Sequence, residues 1–188
     1  RNAISLFSKN LFVSTDTYKK RAEEIVEKDV NVYNVGALSV DNLKTINFMS
    51  KADFNARFDI SLDTPSILCT FHPETVSYGK NETYIKELLE SFVILKNKYQ
   101  IIITLPNTDT MGQMIRDEIV NFGTTYPEVK IIESFGMLGY LSCMKHCAFL
   151  LGNTSSGFVE ATFFPKYVIN LGDRQKGRLE TKNIITTP

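Results

Sequence analysis

The chain has 188 residues, enough for one sizeable domain or for one domain with a piece of another. Hydrophobic residues make up 43% and charged residues 22%, close to the globular average, which excludes disordered and fibrous classes. Lys plus Arg and Asp plus Glu balance at 21 each, so no bulk basic field gathers nucleic acid or an anionic membrane, and any bound anion must be held locally.

The apolar run at 11–13 reads as a strand closed by Ser14 and Thr15. The polar stretch at 16–28 carries Tyr18, Ala22, Ile25 and Val26 at helical spacing. A second strand follows at 31–35 and ends at Gly36. Residues 37–62 read as connection containing one short helix, which the Ser50 and Asp53 capping pair opens. From residue 66 the rhythm is regular. Apolar, β-rich runs lie at 66–71, 100–105, 129–133, 148–151 and 167–171, and stretches with 3.6-residue periodicity separate them at 83–98, 110–122, 138–146 and 155–163. Strands apolar on both faces and alternating with helices predict a doubly wound, Rossmann-like α/β unit with a parallel sheet. The first ~45 residues are too few to bury a core of their own and read as the tail of another α/β unit. The expected division is 1–62, tail plus connection, and 63–188, the main α/β domain.

Ligands of such sheets bind beyond the carboxyl ends of the strands, so the strand tips carry the candidates. His72 follows the strand at 66–71, where it could donate to a phosphate oxygen or serve as an ordinary loop histidine beside Pro73. Asn107 sits in Pro-Asn-Thr-Asp after the strand at 100–105; its amide can donate and accept, although turn chemistry also explains the tetrapeptide. Gly152-Asn153-Thr154-Ser155-Ser156-Gly157 combines small residues and hydroxyls before an expected helix, whose start would offer free N–H groups to an anion. Glu160, four residues beyond Ser156, would lie on the same helix face and could accept two ribose hydroxyls. A plain Ser/Thr cap with an incidental Glu is the competing account, since the loop matches neither the dinucleotide fingerprint nor the P-loop. Arg174, Lys176 and Arg178 follow the strand at 167–171, where a guanidinium fork suits a diphosphate and a solvated charge run is the alternative.

Other signals are weak. Cys143, His146 and Cys147 share one helix, but a zinc site needs a fourth ligand, so core cysteines are expected and no metal is assigned. GxSxG does not occur. Three cysteines and no long apolar run predict a reduced, soluble, cytoplasmic protein that makes no membrane or nucleic-acid contact. The start at Arg1, without a methionine, reads as a cut from something longer.

At these same strand tips the sequence resembles the UDP-N-acetylglucosamine 2-epimerases, and more closely their hydrolysing branch from sialic-acid and related nonulosonate biosynthesis. RNAISLFSKNLFVST, NVGALSVDNLK, FHPET, LPNTD, GNTSSGFVEA and INLGDRQKGRLETKNII follow in family order. Non-hydrolysing members instead resemble D-S-G-G-x-Q-E-E at the serine loop. The resemblance implies a two-domain glycosyltransferase-B-type fold, with Thr154, Ser155, Ser156 and Gly157 on the UDP diphosphate and Glu160 on the ribose. It places Arg174 on the diphosphate or uridine, Asn107 in the nucleotide pocket and His72 on the leaving-group side. It also implies that 63–188 is a C-terminal UDP-binding domain cut short at its C-terminus, a UDP-sugar substrate, no cofactor, a homo-oligomer at full length, and acid and base residues upstream of Arg1, so that this chain alone would be inactive. The implied reaction eliminates UDP to give a glycal, then adds water to release an N-acetylmannosamine-type sugar. A glycosyltransferase of the same fold and a non-catalytic UDP-sugar binding module are the alternatives.

Overall fold

A computed structural model of the chain describes residues 2–26, 30–74, 78–107 and 112–187. They fall into two units, Arg1–Ile46 and Asn47–Pro188. The first holds α1 (Asn2–Leu6), β1 (Asn10–Val13), α2 (Asp16–Glu23), β2 (Asn31–Asn34) and α3 (Leu38–Leu43). Thr15 caps α2, its hydroxyl accepting from the Tyr18 amide at 3.2 Å. The helix stops at Glu23 rather than running to 28, and residues 27–29 lie outside the described set. β1 and β2 pair in parallel, Leu11 opposite Val32, with α2 as the crossover. Val32 and Leu43 are the buried apolar side chains among this unit's described residues, a thin core for a two-stranded sheet.

The second unit opens with α4 (Lys51–Phe58), and the expected capping box is present. The Ser50 hydroxyl accepts from the Asp53 amide at 3.1 Å, while the Asp53 carboxylate accepts from the Ser50 amide at 3.4 Å. Phe54 on α4 is fully buried and meets Phe58 and Phe135 with ring centroids 4.7 and 5.2 Å apart. Ile60 and Leu62 join the same core, so residues 47–62, read above as connection, pack with this unit. Beyond them come β3 (Ser66–Thr70), α5 (Asn81–Leu95), β4 (Gln100–Thr104), α6 (Gly112–Thr125), β5 (Lys130–Ile132), α7 (Gly136–His146), β6 (Phe149–Gly152), α8 (Glu160–Phe163), β7 (Tyr167–Leu171) and β8 (Ile184–Thr187).

The strands form one sheet in the order β5-β4-β3-β6-β7-β8, every pair parallel. This is the doubly wound α/β architecture that the alternation predicts. Period-2 alternation sends Leu68, Ile102, Leu150 and Val168 to one face, with Phe54, Cys143, Met144 and Phe158. Ile67, Cys69, Ile101, Ile103 and Leu151 go to the other, with Ile85 and Phe92 of α5 and Ile115 and Ile119 of α6. Each fully buried Ile, Leu or Phe contributes about 1.5–3 kcal/mol of burial free energy, so the two-sided core fixes the sheet as a rigid base for the loops at its tips.

Within the second unit two elements depart from the sequence reading. β8 was not anticipated; Val168 pairs with Ile184 at the sheet edge. The helix expected at 155–163 divides into a 3-10 turn, Ser155–Gly157, and the four-residue α8. Val159, at φ −120° and ψ −69°, separates them. Gly157 lies so close to β7 that a Cβ there would come within 2.8 Å of Val168 Cγ1, which seats the loop on the sheet before the chain turns again.

Candidate functional site

β3 and β6 are neighbours, but the chain leaves β3 for β4 on one side and leaves β6 for β7 on the other. Connections that part in this way open a crevice at the carboxyl ends of the strands. Gly152 closes β6 at φ +140°, and a Cβ there would stand 2.2 Å from the Thr70 carbonyl oxygen. Only glycine allows the two strand ends to meet so closely.

Asn153 comes next and is fully buried. Its Oδ1 accepts from the His72 amide at 2.7 Å and its Nδ2 donates to the His72 carbonyl at 2.8 Å. One side-chain amide thus satisfies both backbone groups of His72 and locks the loop after β3 to the loop after β6. Gln175, also buried, donates from Nε2 to the Asn153 carbonyl at 2.8 Å and brings in the loop after β7. A second tie runs through Glu74, whose Oε1 accepts from the amides of Asp173 at 2.9 Å and Arg174 at 3.3 Å. Asn81 holds the backbone of Glu74, accepting from its amide at 2.7 Å and donating to its carbonyl at 2.9 Å.

Three strand-tip loops are therefore fastened together, and they bring His72, Thr154 to Gly157, and Arg174 to one end of the sheet. His72 is half-buried, Ser155 is exposed, and Arg174 is exposed on a backbone that Glu74 fixes. Lys176 lies 3.6 Å from the Asp173 carboxylate.

The hydroxyl loop differs from a helix start. Thr154 Oγ1 accepts from the Ser156 amide at 3.4 Å, and the amides of Gly157 and Phe158 donate to the carbonyls of Thr154 and Ser155 at 3.2 and 3.0 Å. Those three amides are occupied within the turn. An anion here would meet the hydroxyls and the amides of Thr154 and Ser155, not the dipole of a long helix. Glu160 begins α8 after the break at Val159, so it does not share a helix face with Ser156 as the sequence spacing suggests. Gly157 is small because of Val168, a packing reason rather than a need to admit a ligand.

Behind the loop lies a group of hydroxyls. Thr70 Oγ1 is 2.6 Å from Thr104 Oγ1 and 3.3 Å from the Tyr140 hydroxyl. Burial pushes the Tyr140 phenol up to about 12, partly opposed by hydrogen bonding to Thr70, Thr154 and Ser156. Tyr140 also borders a cavity of about 440 Å³ with Asn107, Pro106, Arg116, Ser134 and Phe135. Asn107 is exposed at its mouth. Arg116 holds this side, donating from Nη1 to the Pro106 carbonyl at 2.8 Å and pairing through Nη2 with Glu133. The remaining members of the two tip motifs, Thr75, Thr108 and Asp109, lie outside the described residues.

Asn153, Gln175, Glu74, Asn81 and Tyr140 were not singled out by sequence reasoning. Asn153, Gln175 and Glu74 stood inside recognised motifs, while nothing in the spacing marked Asn81 or Tyr140. Cys143 and Cys147 are buried in the core, and His146 Nε2 lies 3.0 Å from the Met49 carbonyl oxygen. Among the described residues no three His, Cys, Asp or Glu side chains gather as a metal site. No helix among them is long and apolar enough to cross a membrane.

Comparison with known proteins gives a consistent family. The family model for UDP-N-acetylglucosamine 2-epimerase matches residues 1–188. The GDP/UDP-N,N'-diacetylbacillosamine 2-epimerase (hydrolyzing) of Campylobacter jejuni is 38% identical over 98% of this chain and 48% of its own length. The polysialic acid biosynthesis protein P7 of Escherichia coli is 32% identical over the whole of this chain, again 48% of its own. The chain thus spans about half the length of the curated relatives it matches. The Methanocaldococcus jannaschii UDP-GlcNAc 2-epimerase, solved with UDP-GlcNAc and UDP, superposes with a TM-score of 0.72 at 21% identity, covering 96% of this chain and 50% of that one. The fold is accordingly that of the glycosyltransferase-B-like 2-epimerases. With its strand-tip motifs in family order and the family model matched from end to end, the chain belongs to the UDP-N-acetylglucosamine 2-epimerase family.

Proposed function

We propose that this chain is the UDP-holding portion of a hydrolysing UDP-sugar 2-epimerase. The observation that carries the reading is the fastening of three strand-tip loops by Asn153, Gln175 and Glu74, which gathers a histidine, a hydroxyl loop and an arginine at one crevice. That set suits the leaving group of the reaction. Departure of UDP from C1 builds negative charge on the β-phosphate, and preorganised donors aimed at that charge lower the barrier. Thr154, Ser155 and Ser156 supply hydroxyl donors, Arg174 a guanidinium fork, and His72 a ring N–H or a proton for a phosphate oxygen. The cavity beside Asn107 and Tyr140 takes the uracil end, and Glu160 the ribose. Proton abstraction at C2 is assigned to no residue of this chain. Within the reading, residues 1–62 are the end of the N-terminal domain with its connection, and the working protein is a cytoplasmic homo-oligomer.

The relatives named as hydrolysing 2-epimerases support the choice of reaction: elimination of UDP to a glycal, then addition of water to release an N-acetylmannosamine-type sugar. Calorimetry with UDP tests the binding premise. Micromolar binding that weakens in Arg174→Ala is expected, and no heat at millimolar UDP would reject the reading. For the full-length protein, transfer of an unepimerised sugar to an acceptor would instead identify a glycosyltransferase, and binding without turnover a sensor module.

A further inference from the structure

We propose that Glu74 is a positioning residue for Arg174: its buried carboxylate fixes the backbone from which the guanidinium reaches a nucleoside diphosphate. The proposal rests on the reading of this crevice as a UDP site and names a residue that acts there without touching the nucleotide.

Glu74 is 3% exposed. Among the described residues its carboxylate pairs with no lysine or arginine; its Oε1 accepts instead from two successive backbone amides, those of Asp173 and Arg174. A carboxylate this deep is costly to desolvate, and charge-assisted bonds from consecutive amides are what offsets the cost. The remaining geometry serves the same contact. Asn81 clamps the amide and carbonyl of Glu74, which removes freedom at the root of the side chain. Gly172 stands at φ +68°, and a Cβ there would lie 2.1 Å from Glu74 Oε1, so the carboxylate occupies the space that any other residue would fill. The carboxylate therefore orders the turn from inside the fold, on the side away from solvent. The Arg174 side chain, exposed and flexible, then starts from a defined place, and less freedom is lost when it closes on a diphosphate.

Three features make the idea separable from a general effect on folding. Glu74→Ala removes the acceptor, Glu74→Gln keeps an acceptor oxygen while removing the charge, and uridine lacks the phosphates that Arg174 would meet. Calorimetry on the whole chain is expected to show UDP binding about 10-fold weaker in Glu74→Ala and within about 3-fold of the parent in Glu74→Gln. Uridine affinity should be unchanged. In an Arg174→Ala background, Glu74→Ala should add less than about 2-fold, because the two residues act through one contact. Equal losses for UDP and uridine, a full additional loss in the Arg174→Ala background, or a Glu74→Gln as weak as Glu74→Ala would each overturn the proposal.

Amide hydrogen exchange at Asp173 and Arg174 reads the contact without any ligand. Faster exchange in Glu74→Ala supports the positioning role, and unchanged exchange sinks it. A parent chain that binds no UDP would reject the functional reading and leave exchange to decide this one. Should Glu74→Ala not fold, Gly172→Ala, which drives a methyl into the carboxylate's place, carries the same comparisons.

Discussion

The two ends of the candidate crevice are built in opposite ways. On the side of β3, β6 and β7, buried amides and one buried carboxylate bind three loops into a single piece, with Asn153 wholly inside the protein. On the side of β4, Asn107 is exposed at the mouth of an open cavity, and a partly exposed Arg116 to Glu133 pair supports the wall. An anion gains most from donors that are already in place, because reorientation would consume much of the binding energy. A flat base needs chiefly a slot of the right shape. On the proposed reading, the contrast teaches that rigidity is concentrated where the charge of a diphosphate would be met.

The contrast can be broken from its rigid end. Gly152→Ala combines an unfavourable backbone angle with a methyl aimed at the Thr70 carbonyl, and a loss of about 3–5 kcal/mol is expected by urea denaturation. A loss under about 1 kcal/mol would show that β3 and β6 can part at their tips without harm. Asn153→Ala removes the side-chain amide that meets both backbone groups of His72, for about 2–4 kcal/mol.

A third prediction concerns pH. The Tyr140 phenol is pushed up to about 12 in the folded chain, from an ordinary value of 10.0, so the folded state holds its proton more tightly than the unfolded state. Its contribution to stability is fully present below pH 10 and is lost as pH rises toward 12, and burial acts on the cysteine thiols in the same direction from about 9 upward. Tyr140→Phe should flatten the upper part of that alkaline fall in denaturation curves taken from pH 8 to 12. An unchanged slope would show that the phenol is not buried in solution. The smallest effect belongs to the open end. Glu133→Gln, which removes a half-exposed ion pair, should change stability by less than about 1 kcal/mol. A larger loss would make that wall as rigid as the clamp opposite and remove the contrast.

Much of this arrangement was readable before any coordinates. The runs of Ile, Val and Leu at 66–71, 100–105 and 167–171 became strands because burial on both faces demands them, and the Ser50 and Asp53 pair capped α4 as their spacing requires. β8 escaped notice because Ile184 and Ile185 are a short run among polar residues, and only pairing with Val168 makes them a strand. The helix expected at 155–163 failed because local periodicity cannot register Gly157 pressed against Val168 on a distant strand. The strand-tip loops were legible as places. Their fastening was not, since Asn153 and His72 are 81 positions apart and Glu74 and Arg174 are 100 apart. Such pairs leave no spacing to read, and their chemistry is with backbone groups that every residue shares.

The three buried cysteines carry a consequence of a different kind. Cys69 lies on the α5 and α6 face of the sheet, Cys143 and Cys147 on the α4 and α7 face, and burial raises all three thiols well above their ordinary range. A thiol that cannot ionise does not react, so alkylation must wait for the surrounding structure to open. Each face thus carries its own stopwatch. Mass-resolved labelling of Cys69 against the Cys143 and Cys147 pair would report, in one sample, whether the two sides of the sheet come apart together or one before the other.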